Sequence, residues 1–545
     1  MNKYSLGLDF GTLSVRAVII DIETGEVKAT SVSEYAHGII STEFLDGTPL
    51  PDGTALQHPR DYLDSMTFVI KECLTESHIS AELITGIGVD FTAATVLPVL
   101  EDGTPLCFLD EFKNEPEAYV KLWKHHGAQA EADRINTLAE KTGAQWLKRY
   151  GGTISAEWLF PKVFETLNKA PEVYSRAARF VEAGDFIVWM LTGKETHSAC
   201  IAGFKAMWDL DDGYPDKEFL KALDPALENV TDTKISKNVI KLSTIAGRVT
   251  KEAEEKTGLM AGTPVAPALI DAHAALPSLG ITKAGEMLLI IGTSACHVLL
   301  SERKTDIPGI SGYVRDGIID GLYAVEAGQA SVGDTFDWFV KNCVPAKYTE
   351  EAEKQGVSIH KYLRNKAKLL PPGSDGVLAL DWFNGNRTPY VNANLSGVIL
   401  GLTVNTAPEQ IYRALIEATA YGTKRIVDLY EKSGVKITKI LTAGGIAEKD
   451  EMLMQIYSDV LGRELVLSGT SQACAYGSAI LGSVNENGYS TLTEAADKLK
   501  KISDVSYKPD PEKTKAYAKL YKEYVTLSEF FAGGENKTME SLKTV

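Results

Sequence analysis

Two stretches about half a chain apart share one layout, and this constrains the fold more than any other feature. LGLDFGTLSVRAVIID (6–21) and EMLLIIGTSACHVLLSE (286–302) each set a Gly-Thr pair between two β-rich runs. Gly11-Thr12 and Gly292-Thr293 hold corresponding places. Self-similarity of this kind points to an internal duplication. A length of 545 residues agrees, because a single core rarely serves so long a chain.

The local patterns around these units mix strands and helices. Residues 4–9, 13–20 and 27–35 read as short strands joined by glycine-containing turns, an antiparallel meander. Residues 59–76 read as an amphipathic helix, and 84–89 as another apolar run, followed by TVLPVL. The stretch 110–240 reads as helical and holds Trp123, Trp146, Trp158, Trp189 and Trp208, five of the seven tryptophans. Further on, Thr406 and Glu409 form a capping box with Pro408 in the first turn, opening a helix that stops at Gly434. A short strand at 439–441 then runs into Ala443-Gly444-Gly445, ahead of the helix-like KDEMLMQIYSDVLG.

Charge and cysteine usage narrow the partners. The net charge of -17 repels a phosphate backbone, so no nucleic-acid partner is expected. The six cysteines are scattered with no CxxC pair, which fits a reducing cytoplasm rather than a disulfide scaffold. No apolar run reaches the roughly 18–20 residues that span a bilayer, and no signal peptide is read before the first strand.

The familiar nucleotide and hydrolase motifs are missing. There is no P-loop, HExxH or G-x-S-x-G, and Gly86-Ile87-Gly88 lacks the third glycine of a dinucleotide fingerprint. A phosphate site has to be built from turns instead. Asp9-Phe10-Gly11-Thr12 is one such turn, with bare backbone for phosphate oxygens and a carboxylate for magnesium. Gly292-Thr293-Ser294 is a second, and Ala443-Gly444-Gly445 would let adenosine lie against backbone. Each alone is an ordinary turn; together, in this order, they are harder to dismiss. Asp271 follows the apolar run ALI, where it is either a helix cap or a general base for a hydroxyl attacking the γ-phosphorus of ATP.

These pieces resemble the FGGY carbohydrate kinases, which share their fold with actin and hexokinase. The most specific match is Gly397-Val398-Ile399-Leu400-Gly401-Leu402, followed by Gln410-Ile411 and Ala414-Leu415-Ile416-Glu417, the second signature of that family. The first signature is looser: FPKVFETLNKAPEVY keeps Lys162, Asn168 and Pro171-Glu172 but lacks the tryptophan. The resemblance implies an α/β, two-lobed, actin-like (ribonuclease H-like) fold with duplicated mixed sheets flanked by helices. It implies a sugar-binding lobe at 1–280 and a nucleotide-binding lobe at 281–545, with ATP and Mg2+ as cofactors. By the same resemblance the sugar would meet Ala93, Trp123, Lys205, Asp271 and Glu326, with Asp271 as the base. ATP would meet Gly11, Thr12, Gly292, Thr293, Ser294, Ala443, Gly444 and Gly445, and Asp9 would hold magnesium directly or through water. Within the family, GIGVDFTAATVLPV (86–99) and EAYVKLWKHHGAQAEADRIN (117–136) look like the members that phosphorylate ribulose. Action on xylulose, ribitol or glycerol stays open, as do a non-catalytic actin-like nucleotide switch and a homodimeric state.

Overall fold

The computed structural model describes residues 3–534 and 536–543. The chain opens as the expected meander: β1 (Tyr4–Phe10), β2 (Ser14–Asp21) and β3 (Val27–Glu34), antiparallel in turn. Helix α1 (Pro59–Ser77) covers β2 and β3 and leads to β4 (Ile84–Phe91), which returns parallel to β1. All seven residues of β1 are buried, as a strand covered on both faces requires. After α2 (Ala199–Lys205), the short β5 (Leu269–Ile270) pairs with the end of β4 and passes directly into α3 (Asp271–Ser278).

The second half repeats this plan. β6 (Glu286–Ile291), β7 (Ala295–Ser301) and β8 (Tyr323–Gln329) form a second antiparallel meander. Helix α4 (Pro408–Lys432) then leads to β9 (Lys439–Ala443), which lies parallel to β6 as β4 lies parallel to β1. β10 (Leu465–Ser468) extends the sheet, and α5 (Ala473–Gly482) follows. Among the described residues each half-sheet has seven strands. One face of the second sheet, with Met287, Leu289 and Ile291, packs into a core shared with α4; Leu288 points the other way, toward the first sheet's core.

Two local expectations are corrected. The N-cap of α4 is Ala407, one residue after Thr406, and it is Gln410 whose side chain accepts the Ala407 N–H at 2.6 Å. Thr406 takes the Thr403 N–H instead, and Glu409 pairs with Tyr348 and Lys366. The stretch read as helical at 110–240 is broken into short helices. Two of its segments, Val120–Lys121 and Arg179–Glu182, join Leu56–Gln57 and Val96–Val99 in a small sheet with its own core. Their period-2 runs are too short to stand out in sequence.

Helices α3 and α5 lie between the two large sheets, and α5 touches the first sheet at backbone distance. A Cβ on Gly88 would fall 1.8 Å from the Ser478 carbonyl, on Gly86 1.9 Å from that of Gly482, and on Gly7 2.0 Å from that of Ala475. This is the role of Gly86-Ile87-Gly88, which carries no nucleotide fingerprint. No described helix is long and apolar enough to cross a membrane. Gly88→Ala must push α5 off the sheet and is predicted to cost about 1–3 kcal/mol in urea unfolding. Gly445→Ala, where an added Cβ meets nothing within 4 Å, should leave the midpoint unchanged.

Candidate active site

Three carboxylates converge where β1, β4 and β5 end. Asp9 lies opposite Asp90 in the β1–β4 register, and Leu269, two residues before Asp271, lies opposite Asp90 in β4–β5. Asp9 and Asp90 are both buried, side by side on paired strands. Ser478 of α5 donates to Asp90 Oδ2 at 2.5 Å. Burial, then the charge of Asp9, pushes the Asp90 carboxyl well above the carboxylate range. Burial raises the Asp9 carboxyl too, but Arg16 at 3.5 Å opposes it, so Asp90 is the stronger proton holder of the pair.

Asp271 is the first residue of α3, not its cap; Ile270 holds that place. Its Oδ1 accepts the Ala272 N–H at 2.6 Å. Burial raises this carboxyl to about 7, with Asp9 and Glu326 adding repulsion and the Ala272 N–H opposing. A carboxyl that titrates near neutrality is suited to accept a hydroxyl proton.

Lys205 ends α2 and meets Glu326 of β8 at 2.7 Å, joining the two halves of the molecule in a buried ion pair. His273 reaches the other Glu326 oxygen at 2.9 Å. Burial alone would raise the Glu326 carboxyl, but Lys205 and His273 outweigh it and hold it at about 2. The Trp158 ring stands 5.6 Å from the Lys205 ammonium.

The two Gly-Thr hairpins share a plan, though the first loop (11–14) is one residue longer than the second (292–294). Gly11 N–H bonds the Ser14 carbonyl at 3.0 Å, and Gly292 N–H that of Ser294 at 2.9 Å. Added Cβ atoms at Gly11 and Gly292 would meet only their own hairpins, at 3.5 and 3.8 Å. The backbone at both tips is thus accessible to phosphate oxygens. Thr12 is fixed by Gln57, which donates to its carbonyl at 2.7 Å, and by Trp123, whose Nε1–H donates to its hydroxyl at 3.1 Å. Val332 N–H holds the Thr293 carbonyl at 2.7 Å. Ala443 lies opposite Ile290 at the end of β9, which puts Gly444 and Gly445 beside Gly292. Gly444 has φ 104°, and a Cβ there would sit 2.4 Å from the Ile291 carbonyl, so only glycine fits. These residues suit a nucleotide whose phosphates lie between the hairpins.

Ala93 sits on a turn whose next residue, Ala94, is left-handed at φ 52°. The buried Lys162 ammonium holds this turn. It donates to the carbonyls of Ala94 at 2.5 Å, Leu122 at 2.8 Å and Lys121 at 3.3 Å, tying Ala93 to the Trp123 segment. Sequence reading placed Lys162 in a signature without a role. It met Asp90 only as part of the 86–99 stretch, with no role of its own, and passed over His273 altogether. Asp90 carries the same signal as Asp271, a charge closing an apolar strand. His273 carried none.

A duplicated, two-lobed α/β fold with facing Gly-Thr hairpins and buried carboxylates in the cleft defines the actin-like phosphotransferases. Within that class the chain belongs to the FGGY family of carbohydrate kinases and is an ATP-dependent sugar kinase: the family's N-terminal domain matches residues 4–277 and its C-terminal domain residues 287–486. It is 46% identical to a ribulokinase of Halalkalibacterium halodurans, over 100% of this chain and 97% of that one. It is 47% identical to a ribulokinase of Bacillus licheniformis, over 97% of each. Among solved structures, a xylulose kinase from Rhodospirillum rubrum shares the fold at a TM-score of 0.80 and 23% identity, covering 97% of this chain and 99% of that one.

Asp271 also carries a stability cost whose sign is testable. Its carboxyl titrates near 7 when folded and about 3.9 when unfolded, so the folded chain holds the extra proton between those values. Stability falls as pH rises through that window. Asp271→Asn should therefore raise Tm at pH 8 by at least about 2 °C, and the gain should shrink toward pH 4 in a calorimetric series.

Proposed function

We propose that this enzyme transfers the γ-phosphoryl group of Mg-ATP to the terminal (5-) hydroxyl of L-ribulose, giving ribulose 5-phosphate and ADP. The observation that carries the reading is the arrangement of Asp271 beside the Lys205–Glu326 pair, which joins the two halves of the molecule. The 46–47% identity to two ribulokinases over nearly the whole chain supports the choice of sugar.

Asp271, as carboxylate, accepts the proton of the attacking hydroxyl and orients its oxygen. Lys205, Glu326 and the Ala93 backbone hold the remaining hydroxyls, and the Trp123 ring walls the sugar. The N–H groups of Thr12, Thr293 and Ser294 face the phosphates, Gly11 and Gly292 leave the hairpin tips bare for their approach, and Ala443, Gly444 and Gly445 leave room for adenosine. Bound Mg-ATP supplies the transferable phosphoryl group and a cation that offsets its charge. Asp9 is the residue suited to hold that magnesium, directly or through water, because the protonated Asp90 leaves it the charge of the pair. The protein's share of the barrier is positioning and exclusion of water, so closure of the lobes around the sugar belongs to this reading.

ADP release is the direct test, measured across L-ribulose, D-ribulose, L-xylulose, D-xylulose, ribitol and glycerol. Strong turnover on ribulose alone supports the assignment; preference for xylulose or glycerol discards the sugar and keeps the kinase. Asp271→Asn is expected to keep sugar binding and lose at least about 100-fold in kcat; full activity would remove Asp271 as base. For the wild type, kcat/KM should rise with pH through about 7 as Asp271 ionises.

A further inference from the structure

His273 is fully buried, lies two residues from Asp271 on α3, and has no role in the chemistry derived above. Both of its ring nitrogens are engaged. Nδ1 lies 3.2 Å from Cys200 Sγ and Nε2 lies 2.9 Å from Glu326 Oε2. Burial pushes the Cys200 thiol up to about 12, so its sulfur keeps the proton and donates it to Nδ1. That assigns the tautomer: Nδ1 accepts, and Nε2–H donates to the carboxylate. The Phe204 ring stands edge-on at 4.6 Å and fixes the imidazole plane.

Glu326 comes from β8 in the second half of the molecule, and Asp271 from the helix that follows the first sheet. Lys205 fixes one Glu326 oxygen but sits on a third element, α2. Among the described residues, the His273 contact is the one hydrogen bond that ties Glu326 to the helix that carries Asp271. We propose that His273 is a positioning residue for the sugar: it locks Glu326 in register with Asp271, so that the hydroxyls held by Glu326 fix which hydroxyl meets the base. This rests on the sugar-kinase reading of the same site.

The test is steady-state kinetics of the wild type, His273→Gln, His273→Leu and Cys200→Ala, each checked for an unchanged circular dichroism spectrum. Sugar and ATP are varied separately, and the sugar is whichever ketose the wild type prefers. A glutamine keeps an N–H donor near the position of Nε2; a leucine does not. Losing a hydrogen bond to a charged group should raise the sugar KM of His273→Leu about 10- to 100-fold. The ATP KM should stay within about twofold, and discrimination between ribulose and xylulose should fall. His273→Gln should recover most of the loss, and Cys200→Ala should show a smaller rise in sugar KM. Three results overturn the proposal: an unchanged sugar KM in His273→Leu, a glutamine variant no better than leucine, or equal rises in the sugar and ATP KM. If His273→Leu does not fold, the glutamine and Cys200→Ala variants decide it, and a wild-type sugar KM in Cys200→Ala together with a poor His273→Gln overturns it. Wild-type preference for xylulose would discard the ribulose assignment and leave the His273 effect to be read on xylulose.

Discussion

The contact between α5 and the first sheet is the constraint on which the rest depends. Three glycines on β1 and β4 let backbone meet backbone, and no side chain intervenes. That approach brings the Ser478 hydroxyl to Asp90, 388 residues away in sequence. With Asp90 held and protonated, Asp9 keeps the charge of the pair at the mouth of the first hairpin. Burial and the charge of Asp9 raise the Asp90 carboxyl, and the Ser478 bond opposes that shift. Close packing of interiors makes the glycine positions intolerant of even a single added methyl group.

The cleft is a study in charge placed against solvation. Asp9, Asp90 and Asp271 are gathered at one end of the first sheet, where burial and the charge of Asp9 raise the proton affinity of both Asp90 and Asp271. Across from them, Glu326 is held ionised by Lys205 and His273. Carboxyls of one chemical type are thus driven to opposite protonation states by their neighbours, the condition under which one can accept a proton while another binds hydroxyls. A second bridge between the halves lies nearby, where Arg387 approaches Glu157 at 3.3 Å and sits 6.0 Å from the Trp123 ring. Trp123 in turn donates to the Thr12 hydroxyl, so this ring and the first hairpin share a hydrogen bond.

Much of this was legible before any coordinates. The paired Gly-Thr units implied a duplication, and β1–β4 and β6–β9 repeat one order of strands. The strands of the first meander fall within a residue or so of the runs read at 4–9, 13–20 and 27–35. Asp271 stood out because a charge after an apolar strand needs a reason. The small sheet around Val96–Val99 was not legible, because its members are two to four residues long and pair across distant positions, Leu56 with Lys121 and Val96 with Glu182. His273 was hidden for a different reason. A histidine in an alanine-rich helix looks like any core residue until its two partners, Cys200 and Glu326, arrive from distant elements. The capping box of α4 was misplaced by one residue because threonine and alanine at 406 and 407 compete for a boundary that the Gln410 side chain settles.

The path of the chain through α5 has a bearing on how the molecule is made. The first sheet is laid down from residues 4 to 270, yet the helix that seals it is not supplied until residues 473–482. During synthesis the face carrying Gly7, Gly86 and Gly88 stays open until nearly nine-tenths of the chain has left the ribosome. The nascent first half is therefore a folding intermediate with an exposed apolar surface, a state prone to aggregation and a natural client for chaperones. The first sheet is sealed only when α5, near the end of the chain, packs back onto strands laid down long before.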